Sequence, residues 1–185
     1  MMFLKKIFSN RNNKITNDDI LNLFKYVNWQ VKLVGVVCQR DQKNYKSNHQ
    51  RIISLVNSDW VMSYIIGVST NYISNIKIDI KTNFDLFVDV ISDIFHMLKI
   101  NNSKKASEHK EKIQNFLTKK LYEKTKTDFS IGFQVGFVDY SNFLKISDKK
   151  NTVNKIIPLM ELSHYLCDEL GISRIEETSE YSKIK

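Results

Sequence analysis

Residues 129–137 read Phe-Ser-Ile-Gly-Phe-Gln-Val-Gly-Phe, with every odd position bulky and apolar and every even one small or polar. That alternation suits a strand with one face on a core, because successive strand side chains point to opposite faces. A helix would scatter the same aromatics around its circumference. Gly132 and Gly136 also form a small-xxx-small pair, so the glycine face marks a close approach, either a helix crossing or a homodimer contact. The same period recurs in Trp60, Met62, Tyr64, Ile66 and Val68, and in Ile76, Ile78 and Ile80 against Lys77, Asp79 and Lys81. Trp29, Val31 and Leu33, followed by Val34-Gly35-Val36-Val37, read as a strand, and Arg51–Val56 reads as another that ends at the turn-like Asn57-Ser58-Asp59.

Other segments have helical spacing. Thr16 caps a run of Asn17, Asp18 and Asp19, after which Ile20, Leu21, Leu23, Phe24 and Val27 predict a helix over 17–28. Phe84, Phe87, Val88, Ile91, Phe95 and Leu98 form one face of an amphipathic helix, and Ile113, Phe116, Leu117 and Leu121 predict another over 106–124. A last helix spans 153–170, with Pro158 near its start and Gly171 as its stop. The expected class is therefore α+β, a single domain over 1–171 with an antiparallel β-meander of about four to five strands packed against about four α-helices. Residues 1–15 are expected as a flexible start and 172–185 as an exposed tail. A chain of 185 residues suits one hydrophobic core.

The formal charge is +8, and the basic residues are 24 Lys against four Arg (Arg11, Arg40, Arg51, Arg174). Lys shares AT-rich codons with Asn (18) and Ile (22), which are also abundant, so part of this charge is expected to reflect genome composition. Few guanidinium forks are on hand for phosphate or guanine edges. Charge divides as +6 over 1–60, +4 over 61–126 and −2 over 127–185, a dipole that steers charged partners without naming them. Two distant cysteines, Cys38 and Cys167, make no disulfide framework, and no run reaches the roughly 20 apolar residues of a membrane span. The opening residues lack the order of a signal peptide, and a soluble cytoplasmic protein is expected.

Candidate chemistry is sparse. His164 and Cys167 with Asp168 offer half a zinc site, and Cys38 with His49 a nucleophile and base, but neither has the spacing of a complete site. No nucleophile elbow or glycine-rich phosphate loop occurs, and no cofactor or metal is expected. Asp85, Asp89 and Asp93 stand at i, i+4 and i+8 with His96 a turn beyond, a repelling stripe that asks for a cationic neighbour. The densest basic segment holds Lys104, Lys105, Lys112, Lys119 and Lys120, an alternative surface for nucleic acid. These features predict a non-catalytic protein that binds another protein, in the manner of a small bacterial inhibitor or immunity protein covering the active site of a toxin or effector. The partner surface is Asp85, Asp89, Asp93 and His96, with a nucleic-acid-associated protein or a Cys/His-centred enzyme as the alternatives.

Overall fold

The computed structural model describes residues 15–40, 45–80, 82–98, 128–147 and 161–172, together with Gln114. Among these residues every regular element is an α-helix: α1 (Asn17–Arg40), α2 (Tyr45–Val56), α3 (Asp59–Asn75), α4 (Phe84–Met97), α5 (Asp128–Ser147) and α6 (Glu161–Leu170). The expected α+β class and its antiparallel meander are thus corrected to an all-α fold. Segments 29–37, 51–56, 60–68 and 129–137 are helical, and 76–80 is a turn region rather than a strand. The helix expected over 84–98 is α4, and α1 starts where its cap placed it but continues to Arg40. The predicted 106–124 helix apart from Gln114, the N-terminal 14 residues and the tail from 173 lie outside the described residues.

The correction has a definite origin. Residues 61–69 of α3 are all buried, and a helix with no solvent face carries no 3.6-residue polar rhythm. Its small polar side chains are satisfied by its own backbone: the Ser63 Oγ donates to the Trp60 carbonyl and the Ser69 Oγ to that of Ile65, each at 2.8 Å. In α5 the alternation is two helical rows in disguise, because a spacing of four is also a multiple of two. Gly132 and Gly136 are one i, i+4 row, and Phe129, Phe133 and Phe137 are another. In α1 the buried positions Leu23, Tyr26, Val27, Gln30, Leu33 and Val34 keep helical spacing throughout, but the polar Gln30 interrupts it.

α3 and α5 run parallel and touch backbone to backbone. A Cβ added at Gly67 would strike the Phe133 carbonyl and stand 2.9 Å from the Phe137 nitrogen. One at Gly136 would strike the Tyr64 carbonyl, and one at Gly132 would strike the Trp60 carbonyl and the Ser63 hydroxyl. Farther along, the Asn71 Nδ2 donates to the Phe137 carbonyl and to the Ser141 Oγ, both at 2.6 Å. α1 lies against α2, α3, α4 and α6, and its residues Leu23, Tyr26, Val27 and Val34 join the core built on α3 and α4.

The helix ends are closed by local chemistry. The Thr16 Oγ1 accepts from the Asp19 nitrogen at 3.3 Å while Asp19 Oδ2 accepts from the Thr16 nitrogen at 2.8 Å, a reciprocal cap for α1. After α6, Gly171 has φ +66°, and the nitrogens of Gly171 and Ile172 donate to the carbonyls of Asp168 and Cys167, the Schellman arrangement. α3 ends the same way with Lys77 (φ 63°) in the left-handed position, the Ile78 nitrogen donating to the Ile73 carbonyl and the Ile78 side chain buried.

Three urea-denaturation comparisons follow from this packing and these caps. Gly136→Ala is expected to destabilise the protein by about 2 kcal/mol, the steric overlap exceeding the gain in helix propensity. Gly35→Ala, where a Cβ would meet nothing within 4 Å, is expected to stabilise it by about 0.5–1 kcal/mol. Lys77→Gly relieves a left-handed non-glycine residue and should raise the urea midpoint, by about 0.5–1 kcal/mol in stability.

Candidate functional site

α4 buries Phe87, Val88, Val90, Ile91, Ile94 and Phe95, which leaves its other face outward. At 100° per residue, Asp85, Asp89, Asp93 and His96 fall within an arc of about 80°, and all four side chains are exposed. The structure therefore places the predicted partner residues together as one ridge. The Asp93 carboxyl is pushed above its ordinary range, first by partial burial and then by the neighbouring Asp89 charge, with His96 opposing.

The other candidates do not converge. Lys104, Lys105, Lys112, Lys119 and Lys120 lie outside the described residues. His49 is exposed on α2, and Cys38 falls within α1 at a position whose side chain lies outside the described set. Cys167 is buried, and His164 is half-buried with its Nδ1 3.9 Å from Glu161 Oε2. Among the described residues, no group of three or more His, Cys, Asp or Glu is placed to hold a metal ion. No single described helix is long and apolar enough to cross a membrane; His49–Val56 and Asp59–Asn75 meet that test only as a pair bent by 59°.

The sequence reading missed a buried polar network at the centre of the fold. Asp139 on α5 is 6% exposed, and its Oδ2 accepts from the Tyr64 hydroxyl, from the Tyr26 hydroxyl at 3.4 Å and from the Glu161 backbone nitrogen at 3.1 Å. Gln30, fully buried on α1, donates through Nε2 to the Tyr64 hydroxyl at 3.1 Å. Its Oε1 accepts from the Ser163 nitrogen at 3.2 Å and the Ser163 Oγ at 3.4 Å. The first turn of α6 is thus capped by side chains from α5 and α1, and its last carbonyls, Glu169 and Leu170, accept from the Arg51 guanidinium at 2.7 and 3.5 Å. Trp60 stacks on Tyr165 with ring centroids 4.0 Å apart, holding the flank of α6.

Burial sets the protonation of this network. It raises the Tyr64 and Tyr26 phenols far above their ordinary range, so both are neutral donors. Burial also raises the Asp139 carboxyl, against the lowering effect of the hydrogen bonds from Tyr64 and the Glu161 nitrogen. The donors and acceptors are turned on one another, so the network positions α6. One sequence signal pointed to it: Asp139 is the one charged residue between Asp128 and Lys145, and an acid inside an apolar run needs buried donors.

No family model matches the chain, and neither a curated protein nor a solved structure does. The described residues form an all-α arrangement of six helices.

Asp139→Ala should destabilise the protein by about 2–3 kcal/mol, because it leaves the buried Tyr26 and Tyr64 hydroxyls, 3.4 Å apart, to share one hydrogen bond and removes the acceptor of the Glu161 N–H. Asp139→Asn separates charge from shape. A carboxyl whose folded pKa is raised binds protons more readily folded than unfolded, so its ionisation erodes stability as pH rises from the unfolded value through the folded one. The stability difference should therefore move in favour of Asp139→Asn as pH rises above the ordinary carboxylate value of about 4, as read by urea denaturation at each pH.

Proposed function

We propose that this chain is a non-catalytic protein-binding module whose contact surface is the α4 ridge of Asp85, Asp89, Asp93 and His96. The observation that supports this reading is the ridge itself, three carboxylates and an imidazole exposed on one helix face whose opposite side is locked into the core. Like charges at this spacing repel by a few tenths of a kcal/mol per pair, which a basic partner surface would relieve. Association through such a ridge would be steered by charge and slowed by salt. Inhibition of a toxin or effector by covering a basic active site is the form of binding such a ridge suits. The setting we propose is the cytoplasm, where the buried Cys167 thiol stays reduced.

The test is affinity capture from a native lysate at low and high salt, using the native chain and an Asp85→Asn/Asp89→Asn/Asp93→Asn variant. A stoichiometric protein retained by the native chain and lost by the variant is the expected result. Nucleic acid retained by both at low salt alone would overturn the reading in favour of the lysine-rich segment. The variant should fold normally, with stability within about 0.5 kcal/mol of the native chain or above it.

A further inference from the structure

Asp139 is the one Asp, Glu, Lys, Arg or His among the described residues that is buried. Its two oxygens are used unequally. Oδ2 takes the Tyr26 hydroxyl from α1, the Tyr64 hydroxyl from α3 and the Glu161 N–H from α6, while Oδ1 accepts from none of the described residues. A proton on Oδ1 therefore removes the charge without displacing a donor. When that proton leaves, no cation among the described residues pairs with the carboxylate. The groups that face it are the Tyr26 and Tyr64 phenols and, from α6, the Glu161 carboxylate, whose charge opposes its ionisation. On α5 itself Tyr140 adjoins it and Lys145 is exposed, as are Lys25 and Lys32 on α1. His164 lies a turn along α6 against Glu161, and Arg51 meets the opposite end of that helix, about 13 Å off.

The three donors differ in how readily they yield. Tyr64 sits on a helix that meets α5 backbone to backbone, and Tyr26 is buried on the 24-residue α1. Glu161 is the exposed first residue of a ten-residue helix, and its N–H is the cover easiest to lift. We propose that Asp139 is a proton-controlled latch on α6: the first turn of α6 stays seated while the carboxyl is protonated, and lifts when the proton passes from Oδ1 to water, letting solvent reach the carboxylate. Lifting parts Ser163 from Gln30 and Tyr165 from the Trp60 ring, and it uncovers the sides of α1 and α2 on which α6 lies. Burial raises the Asp139 carboxyl above its ordinary range, against the bonds from Tyr64 and the Glu161 N–H, so the closed form holds the proton more tightly than the open one. Closure is thus fully favoured below the ordinary value of about 4 and loses ground as pH rises through the raised one. Between those two values each pH unit multiplies the opening constant by up to about tenfold, one proton being released.

Native-state hydrogen exchange of the full chain, read by mass spectrometry from about pH 4 to pH 8 in urea below the unfolding transition, tests this after correction for the intrinsic base-catalysed rate. The α6 amides should exchange through an opening with a small urea dependence, because it exposes little surface. That opening should grow by up to about tenfold per pH unit and then level off. Asp139→Asn keeps an acceptor oxygen and cannot ionise, so it should flatten the pH dependence. If the α6 amides match those of α3 in protection and urea dependence at every pH, the helix leaves only with the whole fold and the proposal is overturned. An α6 opening that does not change with pH overturns it too, as does a pH dependence that survives Asp139→Asn or that His164→Gln removes. Should Asp139→Asn fail to fold, the comparison of α6 with α3 in the native chain and the His164→Gln variant still decide.

Discussion

The close approach of α3 and α5 is the constraint on which the rest of the described structure rests. With no side chain between them at Gly67, Gly132 and Gly136, the two backbones meet directly, and carbonyls of one helix lie where a Cβ of the other would be. Asp139 comes one turn after Gly136 on the same side of α5, and Tyr64 lies against Gly136 on α3. The glycine contact thus delivers a carboxylate within hydrogen-bonding reach of the Tyr64 hydroxyl. A methyl group at the crossing would widen it by more than a hydrogen bond tolerates. Asn71 depends on the same spacing, since its amide bridges to the Phe137 carbonyl and the Ser141 hydroxyl across the two helices.

α6 is held in turn by what that crossing positions. Its first N–H groups find acceptors on Asp139 and Gln30, its last carbonyls find Arg51, and Tyr165 finds the Trp60 ring. The two ends of a ten-residue helix are closed by α5, α1 and α2 together. Such a short helix is marginal alone and needs tertiary support. Burying the Asp139 charge is unfavourable in itself, and an apolar replacement of the whole cluster could be as stable. What an apolar cluster would lack is direction: donors from α1, α3 and α6 converging on one oxygen tie the registers of those helices to α5.

Legibility in the sequence followed solvent exposure. α4 was readable because one face is wet and the other dry, and for the same reason its Asp85, Asp89, Asp93 and His96 ridge was readable. The caps at Thr16 and Gly171 were readable because they depend on chain neighbours alone. α3 and α5 were not, because the apolar surroundings of α3 erase its polar face, and in α5 the glycine row that seats it on α3 mimics strand alternation. Gly132 and Gly136 did announce a close approach, and the helix crossing was one of its two readings. The buried network was illegible for a different reason. Its bonds join residues 34, 75, 113 and 133 positions apart, and no local pattern encodes such pairs.

The distribution of polar chemistry bears on what this protein can do. Its strongest hydrogen-bonding groups inside the fold, Asp139, Tyr64, Tyr26 and Gln30, are occupied with one another, so they set helix positions. The titratable groups free to meet solvent sit on helix faces. There the physics divides: α4 offers charge, whose interactions are long-ranged and screened by salt, and α5 offers apolar area, whose burial is short-ranged and largely indifferent to salt. Because α3 is enclosed by its neighbours, both faces stand on helices whose inner sides the core immobilises, and a rigid platform lowers the ordering entropy that any partner contact must overcome.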